Sequence, residues 1–151
     1  MNEGFGIEEA SEKDLPGIVL LLQDTDLPPD GIEPHVDDFL IIRSPQAVAG
    51  PETLIGCAGL EVYENHALLR SLAVHPDFQR RGIGRKLVSR ITESARGRGI
   101  NHLYLLTETA EDFFRRLGFD LVEREDIPAI VRQSVEFTIL CPSATSMTKE
   151  I

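Results

Sequence analysis

The chain has 151 residues, of which 42% are hydrophobic and 26% are charged, and its formal net charge is −10. This length predicts one domain spanning residues 1–151, the composition disfavours disorder and fibrous structure, and the acidic net charge argues against nucleic acid as a partner. Because no apolar run reaches the roughly 18 residues that a membrane helix needs, and no signal peptide is recognisable, we expect a cytoplasmic protein without membrane association.

The first half of the chain predicts strands and one helix. The expected elements are a strand at 5–9, a helix that Ser11 caps and that ends by Leu27, a strand at 39–42, a polar loop at 44–52, and strands at 53–63 and 67–74. Asn65 and His66 are interpreted as a two-residue turn. The strands that flank this turn therefore form an antiparallel hairpin.

The second half alternates between helices and strands. Apolar residues at helical spacing predict a helix from Gly82 to about Arg96, which Gly97 ends. The other expected elements are a strand at 102–106, a short helix at 110–117, an extended segment at 119–122, a helical turn at 125–132 and a final strand at 135–140. This order predicts an α/β (α+β) fold with a mixed, mostly antiparallel sheet of about six to seven strands and helices on both faces.

The segment from Gln79 to Gly84, with the sequence QRRGIG, lies between a predicted strand and the predicted long helix. Glycines let a backbone approach a ligand closely, and the N–H groups at a helix start attract phosphate. Residues 80–98 also hold seven basic residues and one acidic residue. The pattern favours a bound anion such as a pyrophosphate, although a solvated helix face would explain the cations equally well. It is neither a Rossmann loop nor a P-loop.

These motifs resemble the GNAT superfamily of acetyl-CoA-dependent N-acyltransferases. The resemblance rests on the Leu72–Pro76 segment (LAVHP), on the Q/R-x-x-G-x-G/A signature within Gln79–Gly84, and on the Ala110–Phe119 segment (AEDFFRRLGF). It implies a single GNAT domain in which the strands at 67–74 and 102–107 splay apart.

Further segments are similar to a smaller branch of the superfamily. Residues 68–74, 105–110 and 136–142 resemble small GNATs associated with bacterial arsenic-resistance operons, which are in turn similar to amino-acid (glutamate) N-acetyltransferase domains. An arsenic-related substrate is only weakly indicated, because a direct arsenic site needs several convergent thiolates and the chain has only Cys57 and Cys141. Two cysteines also form neither a disulfide framework nor a zinc site, so we expect buried thiols and no metal.

The resemblance implies acetyl-CoA as the cosubstrate. The amides of residues 81–86 would hold its pyrophosphate, and the backbone of residues 72–74 would pair with its pantetheine arm. The implied cofactor contacts are Leu72, Ala73, Val74, Gln79, Arg80, Arg81, Gly82, Ile83, Gly84, Arg85, Lys86, Phe113 and Phe114.

The chain departs from the family at two catalytic positions. Many GNATs carry a glutamate base at the position of Leu68 and a tyrosine acid at the position of Phe114, and neither residue here can titrate. Glu61 and Tyr63 are therefore the candidate catalytic residues, with solvent or an amine that arrives neutral as the alternatives.

The acceptor site is predicted from the hairpin. A turn at Asn65–His66 places Glu61 opposite Arg70, and strand alternation puts both residues on one face with Tyr63 and Leu68. We expect Arg70 to bind an acceptor carboxylate, with Arg132 and Thr107 as further candidates; an ordinary Glu61–Arg70 ion pair is the alternative.

The predicted function is acetyl-CoA-dependent N-acetylation of a small, anionic, amino-acid-like amine. A non-catalytic acetyl-CoA sensor and a protein or peptide N-acetyltransferase are the alternatives. A homodimer is left open.

Overall fold

The structure is a computed structural model that describes residues 6–44, 53–139 and 143–151. Its strands are β1 (Ile7–Glu9), β2 (Phe39–Arg43), β3 (Leu54–Tyr63), β4 (His66–Val74), β5 (His102–Thr107), β6 (Asp120–Leu121) and β7 (Thr145–Glu150). Its helices are α1 (Leu15–Asp24), α2 (Ile83–Gly97), α3 (Glu111–Arg116) and α4 (Glu136–Ile139), and 3-10 turns cover Glu12–Asp14, Glu33–Asp38, Pro76–Phe78, Arg124–Asp126 and Val131–Gln133. None of the helices in the described ranges combines the length and the hydropathy of a membrane-spanning segment.

The seven strands form one sheet in the order β1-β2-β3-β4-β5-β7-β6, which confirms the predicted mixed sheet. β4 and β5 run parallel, whereas β1–β2, β2–β3, β5–β7 and β6–β7 are antiparallel pairs. The parallel register joins residues 66–68 to residues 102–104 and ends there, although both strands continue. The described pairing thus stops within the pair of strands for which the splay is predicted.

The chain forms two compact units. The first combines the described residues of Met1–Gly59 with Ser71–Ile91. Its apolar core includes Ile18 and Leu22, one turn apart on α1, and Phe39 at the start of β2. Each such buried side chain contributes about 1.5–3 kcal/mol relative to an exposed one.

The second unit combines Leu60–Arg70 with the described residues of Thr92–Ile151. Residues from β4, β5 and the segment before α4 bury their side chains together, because each of these elements has an apolar side toward the others. The buried members are Leu68, Tyr104, Ile127 and Val131, and the half-buried Tyr63, Val122, Ile130 and Phe137 pack against them. The second unit therefore contains this apolar cluster together with both candidate catalytic residues, Glu61 and Tyr63.

The hairpin turn lies one residue earlier than predicted. Its residues are Glu64 and Asn65 rather than Asn65 and His66, and Glu64 adopts a left-handed backbone with φ of 58°. Glutamate is uncommon in that conformation, so residue preferences for turns favour Asn65 and His66 over the observed Glu64 and Asn65. A regular hairpin about this turn places Leu68 rather than Arg70 opposite Glu61, but a shift of two residues keeps every side chain on its predicted face.

The predicted final strand at 135–140 is wrong. Residues 136–139 form α4, whose backbone N–H groups at Thr138 and Ile139 both donate to the Val135 carbonyl, and Leu140 lies outside the described residues. The last strand is instead β7, which pairs with β5 on one side and β6 on the other. Its sequence TSMTKE has one apolar residue, so hydrophobic periodicity does not indicate a strand there. The strand forms because its backbone N–H and C=O groups can bond to two neighbouring strands.

Other predicted elements agree within a few residues. The strand at 5–9 is β1, the helix ending by Leu27 ends at Asp24, and α2 covers Ile83–Gly97. Most of the predicted loop at 44–52 and one of the two cysteines, Cys141, lie outside the described residues.

Candidate active site

The loop before α2 has an unusual backbone. Arg80 and Gly82 both adopt positive φ, 66° and 80°, while the Gln79 side chain donates to the Val74 carbonyl at 3.0 Å. Alternation of left-handed and ordinary residues turns successive N–H groups toward one concavity, which is a common anion-binding arrangement. A left-handed arginine costs free energy that the surrounding structure must supply, and such residues concentrate at binding sites.

The start of α2 concentrates positive charge. Arg81, Arg85 and Lys86 are exposed, and the first turn of the helix has no acidic residue. A helix N-terminus favours anions, so cations at this end are electrostatically unfavourable unless an anion joins them. Arg81 also lies over the Phe78 ring, 5.2 Å from its centroid. The segment can therefore hold a phosphate with backbone and side-chain donors together.

Packing fixes the position of α2. Ile83 and Leu87 are buried, and a Cβ atom built on Gly56 of β3 would lie 3.1 Å from Leu87 Cδ1 and 3.4 Å from Ile83 Cγ2. The helix thus approaches the strand more closely than an alanine would allow without movement. Gly84 is half-buried in the first turn of the same helix.

Ser71 distorts the backbone within β4. Its φ of 61° is left-handed, and its carbonyl accepts a hydrogen bond from the Cys57 thiol at 3.2 Å. Beyond it, Ala73 is buried while Leu72 and Val74 are half-buried. Burial raises the pKa of Cys57 to about 12, so this thiol is not a nucleophile. The strand distortion places an irregular backbone beside the residues predicted to pair with pantetheine.

A charged cluster lies buried in the second unit. Arg70 Nη1 donates to Glu61 Oε2 at 2.8 Å, and Arg70 Nε lies 3.5 Å from Glu136 Oε2. The side chains of Arg70, Glu61 and Glu136 are 0%, 1% and 5% exposed. Tyr63 is half-buried, and its hydroxyl donates to Glu61 Oε1. The structure thus brings the predicted Glu61, Tyr63 and Arg70 together and adds Glu136.

Burial controls protonation in this cluster. It raises the pKa of Glu136 to about 7, with Arg70 opposing the shift and Glu61 adding to it. Burial and the bond to Glu61 also raise the pKa of Tyr63 well above its ordinary range. Tyr63 is therefore a hydrogen-bond donor rather than a base, and Glu136 changes charge near neutral pH.

Three other predicted residues lie outside this cluster. Phe114 is buried, with its ring 5.0 Å from Phe113 and 5.6 Å from Phe119, as expected of a packing residue. Thr107 is buried, and its hydroxyl accepts the Ala110 N–H at 2.9 Å, which shapes the turn before α3. Arg132 is exposed and donates from Nε to the Ile127 carbonyl.

Residues 38–121 match a family model described as "Acetyltransferase (GNAT) domain". The match covers more than half of the chain. The chain belongs to the GNAT acetyltransferase family. The chain is also 32% identical over 130 residues, 79% of its length, to an amino-acid acetyltransferase of Aeromonas salmonicida (strain A449), of which it covers 28%.

Solved structures share the fold of this GNAT chain. N-acetylglutamate synthase from Neisseria gonorrhoeae, complexed with coenzyme A and L-arginine, aligns with a TM-score of 0.78 and 25% identity, over 99% of this chain and 34% of the other. Rv2747 from Mycobacterium tuberculosis, in complex with CoA and NLQ, aligns with a TM-score of 0.76 and 24% identity, over 97% and 99%. The chain spans about a third or less of the amino-acid acetyltransferase and the synthase. The relation to arsenic-operon GNATs stays a prediction.

Sequence reasoning missed Glu136 and Ser71. Glu136 was assigned to a strand, yet a glutamate between Val135 and Phe137 in an apolar segment was a signal of a buried charge needing a partner. Ser71 carries no comparable signal, because a serine within a strand pattern does not indicate left-handed backbone. Among the described residues, no group of three or more His, Cys, Asp or Glu side chains could hold a metal ion.

Proposed function

We propose that this GNAT domain catalyses acetyl-CoA-dependent N-acetylation of a small, amino-acid-like amine. The cofactor assignment is supported by the left-handed Arg80 and Gly82 before α2, together with the exposed cations of its first turn. These groups would hold the pyrophosphate of coenzyme A, and acetyl-CoA would supply the thioester that the amine attacks. Amino-acid acetylation is the activity in the name of the Aeromonas relative.

The Glu61–Arg70–Glu136 cluster is the observation that carries the catalytic part of the proposal. An ammonium group must lose a proton before it attacks, and Leu68, at the position of the usual base, is fully buried and apolar. Tyr63 is half-buried, and its hydroxyl donates to Glu61. We assign Glu61 the role of orienting the acceptor ammonium or a water molecule. The Tyr63 hydroxyl would lie between Glu61 and that ammonium or water.

The acceptor carboxylate is assigned to Arg132 in preference to Arg70. Arg70 exposes no side-chain surface and already contacts two carboxylates, so binding a third would require it to leave one of them. Arg132 is exposed and adjoins Val131, which packs in the same apolar group as Tyr63. Thr107 binds the α3 turn and is not assigned to the acceptor.

Calorimetry and a thermal-shift assay test the cofactor assignment. Acetyl-CoA should raise the melting temperature of the wild-type chain, and Gly82→Glu should abolish that shift because it adds a negative charge to a left-handed position. Gly97→Glu, at the other end of α2, is the matched control and should retain the shift. Absence of acetyl-CoA binding to the wild type would remove the assignment.

A screen of free amino acids, polyamines and peptides, followed by release of free thiol, tests the acceptor class. Amino acids should be the best substrates, and Arg132→Ala should raise their KM about tenfold or more, since a charge-assisted bond contributes about 1.5–3 kcal/mol. Turnover of peptides alone would favour a protein acetyltransferase. Acetyl-CoA binding without turnover of any amine would favour a sensor, which the apolar Leu68 and Phe114 positions would also explain.

A further inference from the structure

Glu136 has no role in the reaction as described so far, yet it is the least expected group in the site. It comes from α4, whereas Arg70 and Glu61 come from β4 and β3. Its carboxylate is 5% exposed and lies 3.5 Å from Arg70 Nε. A glutamate is almost never buried to this extent without a specific partner.

Counting charges in the cluster indicates where a proton resides. Two ionised carboxylates and one guanidinium would leave a net negative charge out of contact with water, which is costly. Glu61 accepts hydrogen bonds from both Arg70 and Tyr63, at 2.8 Å in the first case. Glu136 has the longer contact with Arg70, so the proton belongs on Glu136.

Among the described residues, the charged groups that influence Glu136 are Arg70 from β4 and Glu61 from β3, and Tyr63 is bonded to Glu61. Ser134 accepts the Glu136 backbone N–H and has no charge. Arg124, from the 3-10 turn at Arg124–Asp126, lies over the Phe137 ring, 5.6 Å from its centroid. A change in the charge of Glu136 therefore affects Glu61 mainly through Arg70, which contacts both carboxylates.

This inference rests on the proposed function. We propose that Glu136 is a positioning residue that offsets the charge of Arg70 and thereby allows Glu61 not only to orient the acceptor ammonium but also to accept its proton. When Glu136 is ionised, Arg70 is already neutralised and no longer opposes a proton on Glu61. The ammonium N–H bond breaks, a Glu61 O–H bond forms through the Tyr63 hydroxyl or a water, and Glu61 later returns the proton to solvent. The departing thiolate takes its proton from solvent.

The pKa of Glu136, about 7, supports this role because it places the change of charge within the pH range of an enzyme assay. Activity should therefore rise as Glu136 loses its proton. A purely structural Glu136 would affect stability without imposing this profile on turnover.

The test compares Glu136→Gln, Glu136→Asp and the exposed control Glu125→Gln. With acetyl-CoA saturating and the best amino acid of the screen as acceptor, kcat/KM of the wild type should rise through about pH 7. Glu136→Gln should lower kcat about tenfold, the effect of one pKa unit of lost coupling, and should lose this titration while acetyl-CoA affinity is unchanged. Glu136→Asp should restore part of the rate, and Glu125→Gln should match the wild type.

A readout independent of turnover separates this inference from the proposed function. Infrared difference spectra should show the C=O band of a protonated carboxylic acid that disappears as pH rises from about 6 to about 8. The band should be missing in Glu136→Gln and present in Glu125→Gln. The inference is overturned if the band persists in Glu136→Gln, or if that variant keeps the wild-type rate and pH profile. A wild type that acetylates no amine overturns the proposed function, while the band still decides the location of the proton.

Discussion

Arg70 places a guanidinium inside the second unit between carboxylates from two other elements. The desolvation of such a cation is offset only while its partners are present, so the cluster is sensitive to the loss of any one member. Exposed pairs behave differently, because water replaces the missing partner. Arg115 and Glu111 form such a pair on α3 at 2.9 Å, with side chains 48% and 39% exposed.

Arg70→Ala is therefore expected to cost about 3–5 kcal/mol of unfolding free energy, because it leaves buried carboxylates without a cation. Arg115→Ala should cost less than about 1 kcal/mol. Urea unfolding of both variants at one pH measures the difference. Similar small losses in both would contradict the buried charge cluster.

The raised pKa of Glu136 also leads us to expect that the unfolding free energy depends on pH. Its pKa is about 7 in the folded chain against an ordinary 4.5, so between these values the folded state binds a proton that the unfolded state has released. Its contribution is complete below about pH 4.5 and is lost as pH rises through about 7, for a total of about 3 kcal/mol.

Unfolding free energies of wild type and Glu136→Gln, measured from about pH 4.5 to about pH 8, should show this difference. The advantage of the wild type over the variant should shrink steadily as pH rises. A constant difference across the range would mean that Glu136 is already ionised in the folded chain at the acidic end.

At the scale of elements, β2 and β3 approach each other through Gly59. Its position is registered opposite Phe39, and a Cβ atom there would lie 2.2 Å from Phe39 Cε1. Because Phe39 is fully buried, it has little room to move aside. The first unit therefore depends on a glycine that sequence patterns identify only as a weak point in a strand.

Gly59→Ala should destabilise the chain by about 1–3 kcal/mol, and the double variant with Phe39→Leu should recover part of that loss by removing the clashing ring edge. Gly97→Ala is the control, because its added Cβ would meet nothing within 4 Å. Thermal unfolding of the wild type, Gly59→Ala, Phe39→Leu and the double variant measures the coupling. Additive effects of Gly59→Ala and Phe39→Leu would disprove the close contact.

Elements with strong patterns could be predicted from the sequence, and those that depend on tertiary partners could not. α2 repeats apolar residues at helical spacing and was placed within one residue of its start. β7 has almost no apolar pattern and exists because β5 and β6 flank it. α4 alternates like a strand, but its buried Glu136 is turned toward Arg70, which local preference cannot reveal.

The candidate site divides in the same way. The contact between Glu61 and Arg70 follows from strand alternation. The turn was predicted one residue too late, but the resulting register shift of two residues leaves both side chains on the same face of the sheet. The second carboxylate next to Arg70 could not be predicted. Glu136 lies 66 residues after Arg70 in the chain, and no spacing rule links the two positions. Proton affinities depend on this long-range arrangement and on burial.

At the scale of the whole molecule, charge is distributed unevenly. The chain carries −10 overall, yet the segment that begins at Arg80 and ends at Arg98 holds seven basic residues and one acidic residue. Screening limits exposed charges to about 10 Å at ordinary ionic strength, so an anion at the start of α2 responds mainly to the nearby cations. An acidic protein can thus bind an anionic cofactor without a basic surface elsewhere.

The two units are interleaved along the chain, because the polypeptide leaves the first unit at Gly59, returns at Ser71 and leaves again at Ile91. Neither unit is one continuous stretch. During synthesis, the first unit has all its segments once Ile91 has been added, but the intervening Leu60–Arg70 must wait for α4 and β7. Until Glu136 is made, Arg70 and Glu61 are a charged pair lacking their third member, so vectorial folding of this chain has a defined late step.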